Sequence, residues 1–186
     1  MSTEGASGDG AGWEPNFTWI ASGLAVGGSF PSERIRDLAT EHGVRAVVDL
    51  RTEDCDDEAV LRAHGLAFLQ LPTRDLCAVS QDCLRAGVAF ANRHLDVGER
   101  VLVHCEHGIG RSATLALCVL VSRGMAPLDA LELAKTKRPL VSPSPEQYEA
   151  WVRWLATWKV RMGCEWTIPP FDAFKAIAYR HLREAP

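Results

Sequence analysis

Membrane-targeting segments are lacking in the sequence. The first twelve residues, MSTEGASGDGAG, contain neither a basic patch nor an apolar stretch, so they do not fit a secretory signal peptide. The longest apolar run, residues 113–121, is too short to cross a bilayer. We therefore expect a cytoplasmic protein with reduced thiols and no membrane partner, with a disordered N-terminal tail over residues 1–14.

Excess basic charge is lacking as well. The formal net charge is −4 at pH 7 and the pI is about 5.9, whereas a nucleic-acid-binding domain usually carries a basic face. We therefore expect no nucleic-acid partner. The 186 residues are 47% hydrophobic and 24% charged, which is the balance of a single globular domain with a sizeable core.

Short apolar runs alternate with amphipathic stretches along the chain, which favours strands alternating with helices. Strands are predicted at residues 44–50, 66–71 and 100–104, with a hairpin around Ser22 and Gly23. Helices are predicted at residues 31–42, 56–64, 81–96, 110–123, 127–135 and 145–162, and within 168–182. The stripe expected to face the core from helix 145–162 consists of Trp151, Leu155, Trp158 and Met162. The pattern predicts an α/β fold with a central, mostly parallel sheet of four to five strands flanked by helices.

The stretch VLVHCEHGIGRSATLALCVLV, residues 101–121, places a cysteine, two glycines and an arginine between a predicted strand and a predicted helix. The unpaired N–H groups at the start of a helix and the helix dipole favour a bound anion. Gly108 and Gly110 allow the loop to curl so that successive N–H groups point at one centre. Arg111 can add two parallel hydrogen bonds to a tetrahedral oxyanion. The stretch therefore predicts an anion site with the sulfur of Cys105 beneath the anion.

The same positive surroundings stabilise a thiolate at Cys105. A thiolate in such a cradle is a nucleophile aimed at a bound phosphate or sulfate, and Ser112 can hydrogen-bond its sulfur. A packing role is the alternative, since free cysteine is common in protein cores, but the joint pattern favours catalysis. A metal site at His104, Cys105 and His107 has no further ligand at a recognisable spacing. Arg111 would also repel a cation, so we expect no metal.

The segment HCEHGIGRS, residues 104–112, resembles the signature loop of the cysteine-dependent protein tyrosine phosphatase superfamily. In that loop, His-Cys is followed by five residues, Arg, and then Ser or Thr. The segments GLAVGGSFPS, VVDLR, LPTRD and RPLVSPSPEQY extend the likeness to the compact dual-specificity branch over about residues 19–158. The resemblance implies a dual-specificity phosphatase fold, a catalytic domain over residues 15–162 followed by a helical extension over 163–186, no cofactor, and a phosphocysteine intermediate.

The resemblance also implies a role for each residue of the signature. Cys105 is the expected nucleophile, and Arg111 with the loop amides would hold the equatorial phosphate oxygens. Ser112 would support the sulfur as a leaving group, and His104 would orient the loop and tune the thiolate.

A general acid is needed as well, and the family carries an Asp on a loop that precedes the signature. Asp75 in LPTRDL fits this role, because it follows a predicted strand and precedes a predicted helix. Asp49 and Asp82 are the alternatives. Asp49 fits better as a strand-end residue bonded to backbone, and Asp82 fits the first turn of its helix.

The loop residues expected to bind substrate are Glu106, His107, Gly108, Ile109, Gly110 and Arg111. Relatives that act on highly phosphorylated inositol lipids tend to carry basic residues at the positions of Glu106 and His107, so the acidic Glu106 argues against a polyanionic substrate. In phosphotyrosine-specific relatives, a tyrosine that precedes the signature loop in sequence usually lines a deep pocket. Both tyrosines of this chain lie after the signature loop. A shallow pocket is therefore expected. Gln147 stands where some relatives place a water-positioning glutamine, and a polar helix-start residue is the alternative.

These features predict a monomeric protein phosphatase for phosphotyrosine and for phosphoserine or phosphothreonine in a phosphorylated protein or peptide. A phosphatase for a phospholipid or an RNA 5′ end is the second hypothesis. HCxHG resembles the RNA 5′-triphosphatases, although Gly110-Arg111 replaces their Asn-Arg. The third hypothesis is a non-catalytic phosphate-binding module, which would need no nucleophile. Whether Cys55 or Cys77 forms a protecting disulfide with Cys105 is left open.

Overall fold

A five-stranded, mostly parallel sheet forms the centre of the protein. The structure is a computed structural model that describes residues 13–182, so most of the tail predicted over residues 1–14 lies outside the described residues. The strands are β1 (Phe17–Ala21), β2 (Leu24–Gly27), β3 (Val44–Asp49), β4 (Ala67–Gln70) and β5 (Arg100–His104). Their order across the sheet is β1-β2-β5-β3-β4, and only the β1–β2 hairpin is antiparallel. The predicted α/β class is thereby confirmed.

The described residues form seven α-helices. They are α1 (Ile35–Thr40), α2 (Glu58–Ala63), α3 (Gln81–Asp96), α4 (Arg111–Ser122), α5 (Pro127–Lys137), α6 (Pro145–Met162) and α7 (Phe171–Ala178). A 3₁₀ turn at Ser32–Arg34 precedes α1, and another at Arg180–Leu182 follows α7. Helix α3 begins where predicted, because Ser80 accepts a hydrogen bond from the amide of Cys83 at 3.1 Å. None of the helices within residues 13–182 has the length and apolar character to span a bilayer.

Helices cover both faces of the sheet. Along β5, Val101 and Val103 point to the larger core beneath α3 to α7, and Leu102 points to a smaller core beneath α1 and α2. Because both faces of β5 are buried, its central residues 101–103 are all apolar and form a continuous hydrophobic run. The carboxyl ends of β3 and β5 lie side by side, with Asp49 paired to His104. Loops that follow these two strands therefore meet at one edge of the sheet.

The helical extension after α6 packs against the main domain. Phe174 and Ala178 of α7 are fully buried in the larger core. The hydroxyl of Tyr179 donates to the carbonyl of Pro143 at 2.6 Å. The expected core stripe of α6 is confirmed at Trp151 and Leu155, which are buried, and Trp158 is partly buried against the same core. The prediction was wrong for Met162, which is 56% exposed in the last turn of the helix.

Candidate active site

The signature loop, residues 105–110, connects β5 to α4 and is fixed against the end of β2. The amide of Cys105 donates to the carbonyl of Gly27 at 3.3 Å, and the amide of Ser29 donates to the carbonyl of Glu106 at 2.9 Å. Gly108 has a φ of +69°, and a Cβ at this position would collide with the backbone of Gly27. The loop therefore keeps a tight curl at the N-terminus of α4, where the helix dipole and free amides attract an anion.

The sulfur of Cys105 lies under this helix N-terminus. Sγ is 3.3 Å from Oγ of Ser112, a buried residue in the first turn of α4. Cys105 is 3% exposed, so only the side of the sulfur that faces the cleft is accessible. A serine hydroxyl at this distance can donate to a thiolate, which is the contact predicted for Ser112.

The guanidinium of Arg111 is held by residues that precede the loop by more than thirty positions. Nη1 donates to Oε2 of Glu53 and to the carbonyl of Thr73, each at 2.9 Å, and Nη2 donates to Oε1 of Glu53 at 2.7 Å. The hydrogen bond from Arg111 is the main cause that lowers the pKa of Glu53 to about 2. Burial opposes the charge on Arg111, but Glu53 and the neighbouring acidic groups outweigh it and raise the pKa of Arg111.

Asp75, the predicted acid, faces the arginine across the cleft. Its Oδ1 lies 3.2 Å from Nη2 of Arg111, and its side chain is 58% exposed. The cleft is lined by Asp75, Leu76, Cys105, His107, Ile109, Gly110, Ser142 and Gln147. The structure thus brings the predicted nucleophile, anion-binding arginine and acid to one place. Asp49 and Asp82, the two alternatives for the acid, do not line this cleft.

His104 is buried in a charged cluster behind the nucleophile. Its Nε2 lies 2.7 Å from Oδ2 of Asp56, and the guanidinium of Arg51 donates to Oδ1 of Asp56 at 2.6 Å and to both oxygens of Asp49. Asp49 also accepts a hydrogen bond from the amide of Arg51 at 2.9 Å, so its predicted role as a strand-end residue bonded to backbone is confirmed. Ligand atoms of Asp49, Asp56 and His104 lie within 4.8 Å of one another, as they would around a metal ion. Arg51 already supplies the positive charge between the carboxylates, so the donor set does not fit a metal.

Arg138, at the end of α5, supports the signature loop from behind. Its Nε donates to the carbonyl of Gly108 at 2.9 Å, and its Nη2 donates to the carbonyl of His107 at 3.0 Å and to Oδ1 of Asn16 at 2.8 Å. Burial lowers the pKa of Arg138, with an opposing contribution from the charge of Cys105. With these carbonyls turned toward Arg138, the loop amides are left to face the anion.

The loop residues predicted to bind substrate differ in where their side chains lie. His107 and Ile109 line the cleft. The carboxylate of Glu106 instead accepts a hydrogen bond from Ser29 at 3.2 Å and lies 3.6 Å from Nη1 of Arg51. A contact between Glu106 and substrate would therefore come from its backbone amide, and substrate binding by these residues stays a prediction.

Gln147 is buried beside the signature loop. Its Oε1 accepts from the amide of Ser144 at 2.9 Å, and a Cβ on Gly110 would collide with its side-chain amide. Nε2 has no hydrogen-bond partner within residues 13–182. Gln147 thus completes the capping box of α6, which confirms the alternative prediction of a polar helix-start residue, and a contact with the hydrolytic water stays a prediction.

Residues 14–158 match the DSP-PTPase phosphatase domain of the Swiss Army Knife proteins, PTP-SAK. The chain belongs to this family. The resemblance inferred from the signature loop is thereby confirmed, and the residues of the PTP-SAK domain extend from before β1 to the fourth turn of α6.

Relatives of this PTP-SAK chain include lipid and protein phosphatases. Phosphatidylglycerophosphate phosphatase PTPMT1 of Arabidopsis thaliana is 30% identical over 151 residues, which cover 76% of this chain and 44% of that protein. Phosphatidylglycerophosphatase and protein-tyrosine phosphatase 1 of Mus musculus is 30% identical over 130 residues, covering 66% of this chain and 67% of that protein. The crystal structure of PTPMT1 in complex with PI(5)P shares the fold, with a TM-score of 0.74 and 24% identity over 79% of this chain and 99% of that chain. The match thus spans less than half of the Arabidopsis relative.

Three supporting residues of the site were missed in the sequence. Glu53 and Asp56 lie in TEDCDDE after β3, and Arg138 lies in RPLVSPSP after α5. The acidic run indicated only the start of a helix. A signal did exist, because acidic residues at the carboxyl end of a parallel strand next to β5 are placed to reach a basic residue of the signature.

Proposed function

We propose that the protein is a cysteine-dependent phosphatase that hydrolyses phosphomonoesters through a phosphocysteine intermediate. The observation that carries this proposal is that Cys105 and Asp75 line one cleft, with Nη2 of Arg111 3.2 Å from Oδ1 of Asp75. A phosphate-binding module would need the arginine and the loop amides, but neither a nucleophile nor an acid beside them.

In the first step, the Cys105 thiolate attacks phosphorus, and the bond between phosphorus and the ester oxygen breaks. Asp75 gives its proton to the departing oxygen, so the product leaves as an alcohol or a phenol. Arg111 and the amides at the start of α4 hold the equatorial oxygens, on which negative charge is distributed in the transition state. Glu53 keeps the guanidinium in one orientation, so little reorganisation is needed when the phosphate enters.

In the second step, water attacks the phosphorus of phosphocysteine, and the S–P bond breaks. Asp75, now a carboxylate, takes a proton from the water. Ser112 donates a hydrogen bond to the sulfur, 3.3 Å away, and stabilises it as a leaving thiolate. The unused amide donor of Gln147 supports a role in orienting this water.

The substrate proposed first is a phosphorylated protein or peptide, with phosphotyrosine and phosphoserine or phosphothreonine as candidate residues. The residues that line the cleft include neither lysine nor arginine, and His107 is their one basic side chain. A cleft with few cations suits a substrate with one phosphate group better than a substrate with several phosphate groups. A monomeric state and a cytoplasmic location remain part of this proposal.

A phospholipid monophosphate is the second candidate. Two relatives bear names that include phosphatidylglycerophosphate or phosphatidylglycerophosphatase activity. The exposed side chain of Leu76 at the cleft would suit an acyl or glycerol group near the phosphate.

Phosphate release from a substrate panel tests the proposal. The panel contains a phosphotyrosine peptide, a phosphothreonine peptide, phosphatidylglycerophosphate in vesicles, and 5′-triphosphorylated RNA. Turnover of at least one monoester is expected, and the preferred class separates the protein substrate from the lipid. Cys105→Ser should abolish turnover while retaining phosphate binding, because a serine hydroxyl stays protonated near neutral pH. Cys164→Ser, in the segment before α7, is the matched control with activity retained. Substantial turnover by metal-free Cys105→Ser would remove Cys105 as the nucleophile.

A further inference from the structure

The turn that carries Asp75 has an unusual backbone conformation at the next residue. The amide of Cys77 donates to the carbonyl of Arg74 at 3.2 Å, so Asp75 and Leu76 are the central residues of a β-turn. Leu76 has a φ of +60° and is the only non-glycine residue with positive φ within residues 13–182. Glycine or asparagine normally occupies such a position, because the left-handed conformation is strained for leucine. The Leu76 side chain is 65% exposed, so its burial does little to hold this conformation.

A hydrogen bond from Ser144 holds the strained residue. The hydroxyl of Ser144 donates to the carbonyl of Leu76 at 2.7 Å. The same oxygen accepts from the amide of Gln147 at 3.2 Å and so caps the N-terminus of α6. A hydroxyl has one proton to donate and lone pairs to accept with. The single proton of Ser144 is therefore used on Leu76, and the cap does not compete for it.

The position of Ser144 is fixed by its neighbours. It lies between Pro143 and Pro145, whose rings restrict the backbone. The carbonyl of Pro143 accepts from the Tyr179 hydroxyl at 2.6 Å, and the amide of Ser144 donates to Gln147 at 2.9 Å. The acid turn, by contrast, is exposed from residue 74 to residue 78. If the hydrogen bond between Ser144 and Leu76 breaks, we therefore expect the exposed turn to move and Ser144 to stay in place.

We propose that Ser144 is a positioning residue whose hydrogen bond to Leu76 holds Asp75 at the catalytic cleft. Asp75 then lies between two anchored carbonyls, that of Thr73, bound by Arg111 at 2.9 Å, and that of Leu76, bound by Ser144. Without the hydroxyl of Ser144, the strain at Leu76 favours relaxation to negative φ, and the adjoining Asp75 shifts from the cleft. This inference rests on the proposed function in one respect, the role of Asp75 as general acid.

Three substitutions at one position separate this role from helix capping. Ser144→Asp keeps an N-cap acceptor and loses the donor, Ser144→Gly loses the donor with little loss of capping, and Ser144→Thr keeps both. The measured quantity is the ratio of kcat/KM for phenyl phosphate to kcat/KM for difluoromethylumbelliferyl phosphate, whose leaving group needs little protonation. We expect the ratio to fall at least tenfold in the Asp and Gly variants and to stay near the wild-type value in the Thr variant. The alkaline limb of the pH profile for phenyl phosphate should flatten in parallel.

A control in another helix shows whether capping alone matters. Ser80→Ala removes the side-chain cap of α3, which has no hydrogen bond to Leu76, and should leave the ratio unchanged. A wild-type ratio in both Ser144→Asp and Ser144→Gly would overturn the proposal, and so would an equal loss of kcat/KM on both esters. Failure of the proposed function has a different signature. In that case wild-type protein releases no phosphate, or Asp75→Asn shows no dependence on the leaving group.

Discussion

The carboxylate of Asp75 forms an ion pair with Arg111, the side chain that a substrate phosphate would need. Of the five N–H groups of a guanidinium, those of Nη1 are engaged by Glu53 and Thr73, and one of Nη2 is engaged by Glu53. Oδ1 of Asp75 lies 3.2 Å from Nη2, and Nε is buried without a hydrogen-bond partner within residues 13–182. A phosphate that binds the edge formed by Nε and Nη2 therefore competes with the carboxylate of Asp75 for Arg111.

Replacing Asp75 by Asn should change catalysis according to the leaving group. The substitution keeps the size and removes the transferable proton. We expect hydrolysis of a phosphotyrosine peptide to slow by about a hundred- to ten-thousandfold, and hydrolysis of an activated aryl phosphate to slow much less. Inorganic phosphate should inhibit the variant at lower concentration, because the competing carboxylate on Arg111 is gone. Steady-state kinetics with both esters and with phosphate measure these effects.

Asp49→Asn is the control for the acid. Asp49 is buried and bonded to Arg51, so its loss should lower the melting temperature and leave the ratio of the two rates near the wild-type value. An equal effect of Asp75→Asn on both esters, or none on either, would show that another residue is the acid.

Replacing Glu53 by Gln should weaken the contact that orients Arg111 and should also destabilise the fold. The loss of stability should depend on pH. The folded pKa of Glu53 is about 2, below its ordinary value of 4.5. The ion pair therefore stabilises the fold above about pH 4.5, and this stabilisation is lost as the pH falls toward 2. We expect the difference in melting temperature between wild type and Glu53→Gln to be largest near neutral pH and to vanish over that interval. The value of kcat/KM should fall at least tenfold, about 1.4 kcal/mol.

Glu58→Gln is the matched control for Glu53→Gln. Glu58 pairs with Arg62 on the exposed face of α2 and touches no residue of the cleft. A surface pair of this kind contributes little, so the melting temperature and kcat/KM should change slightly. If Glu53→Gln behaved like Glu58→Gln, the bidentate pair with Arg111 would have no role in catalysis.

Replacing Asp56 by Ala should act on the nucleophile and not on the acid. The change leaves Nε2 of His104 buried without its partner at 2.7 Å, which is expected to cost about 1–3 kcal/mol of unfolding free energy. Because His104 adjoins Cys105, the rates on activated and unactivated esters should fall by the same factor. Denaturant unfolding and kinetics on both esters measure the two effects.

Asp57→Ala is the control that separates a loss of stability from a loss of the contact between Asp56 and His104, because both aspartates lie in the loop between β3 and α2. Asp57 caps α2 by accepting from the amides of Ala59 and Val60, so its loss should cost about 1 kcal/mol. Activity at a temperature well below the unfolding midpoint should be unchanged. A loss of activity in Asp57→Ala equal to that in Asp56→Ala would show that general loosening of the loop explains both.

The parts of the site that depend on local sequence could be predicted. The strand, loop and helix around Cys105 and Arg111 are contiguous, and the turn of Asp75 lies between two clear elements. Glu53 and Asp56 could not be placed, because each reaches its partner across 58 and 48 residues respectively. Predicting those contacts requires the knowledge that β3 is the neighbour of β5, and the spacing of apolar residues does not determine the order of the strands in the sheet.

Two other features depend on tertiary context. The left-handed Leu76 has neither the glycine nor the asparagine that marks such turns, and only its contact with Ser144 accounts for it. Met162 fits the helical period of the α6 stripe, yet the period cannot reveal that the last turn of the helix, residues 160–162, is exposed.

Helix α7 lies beyond the family match, which ends at residue 158, yet its buried face joins the same core as the nucleophile. Ser142 connects them, since its hydroxyl donates to the carbonyl of Ala178 at 3.2 Å and its amide donates to the carbonyl of Ile109 at 2.9 Å. Backbone amides of α7 should therefore exchange with deuterium only on opening of the whole domain, as one cooperative unit. A protease that cuts the largely exposed stretch 161–168 should leave two fragments that stay associated. A chain that ends at residue 158, where the family match ends, lacks α7 and should not keep the stability of the full chain.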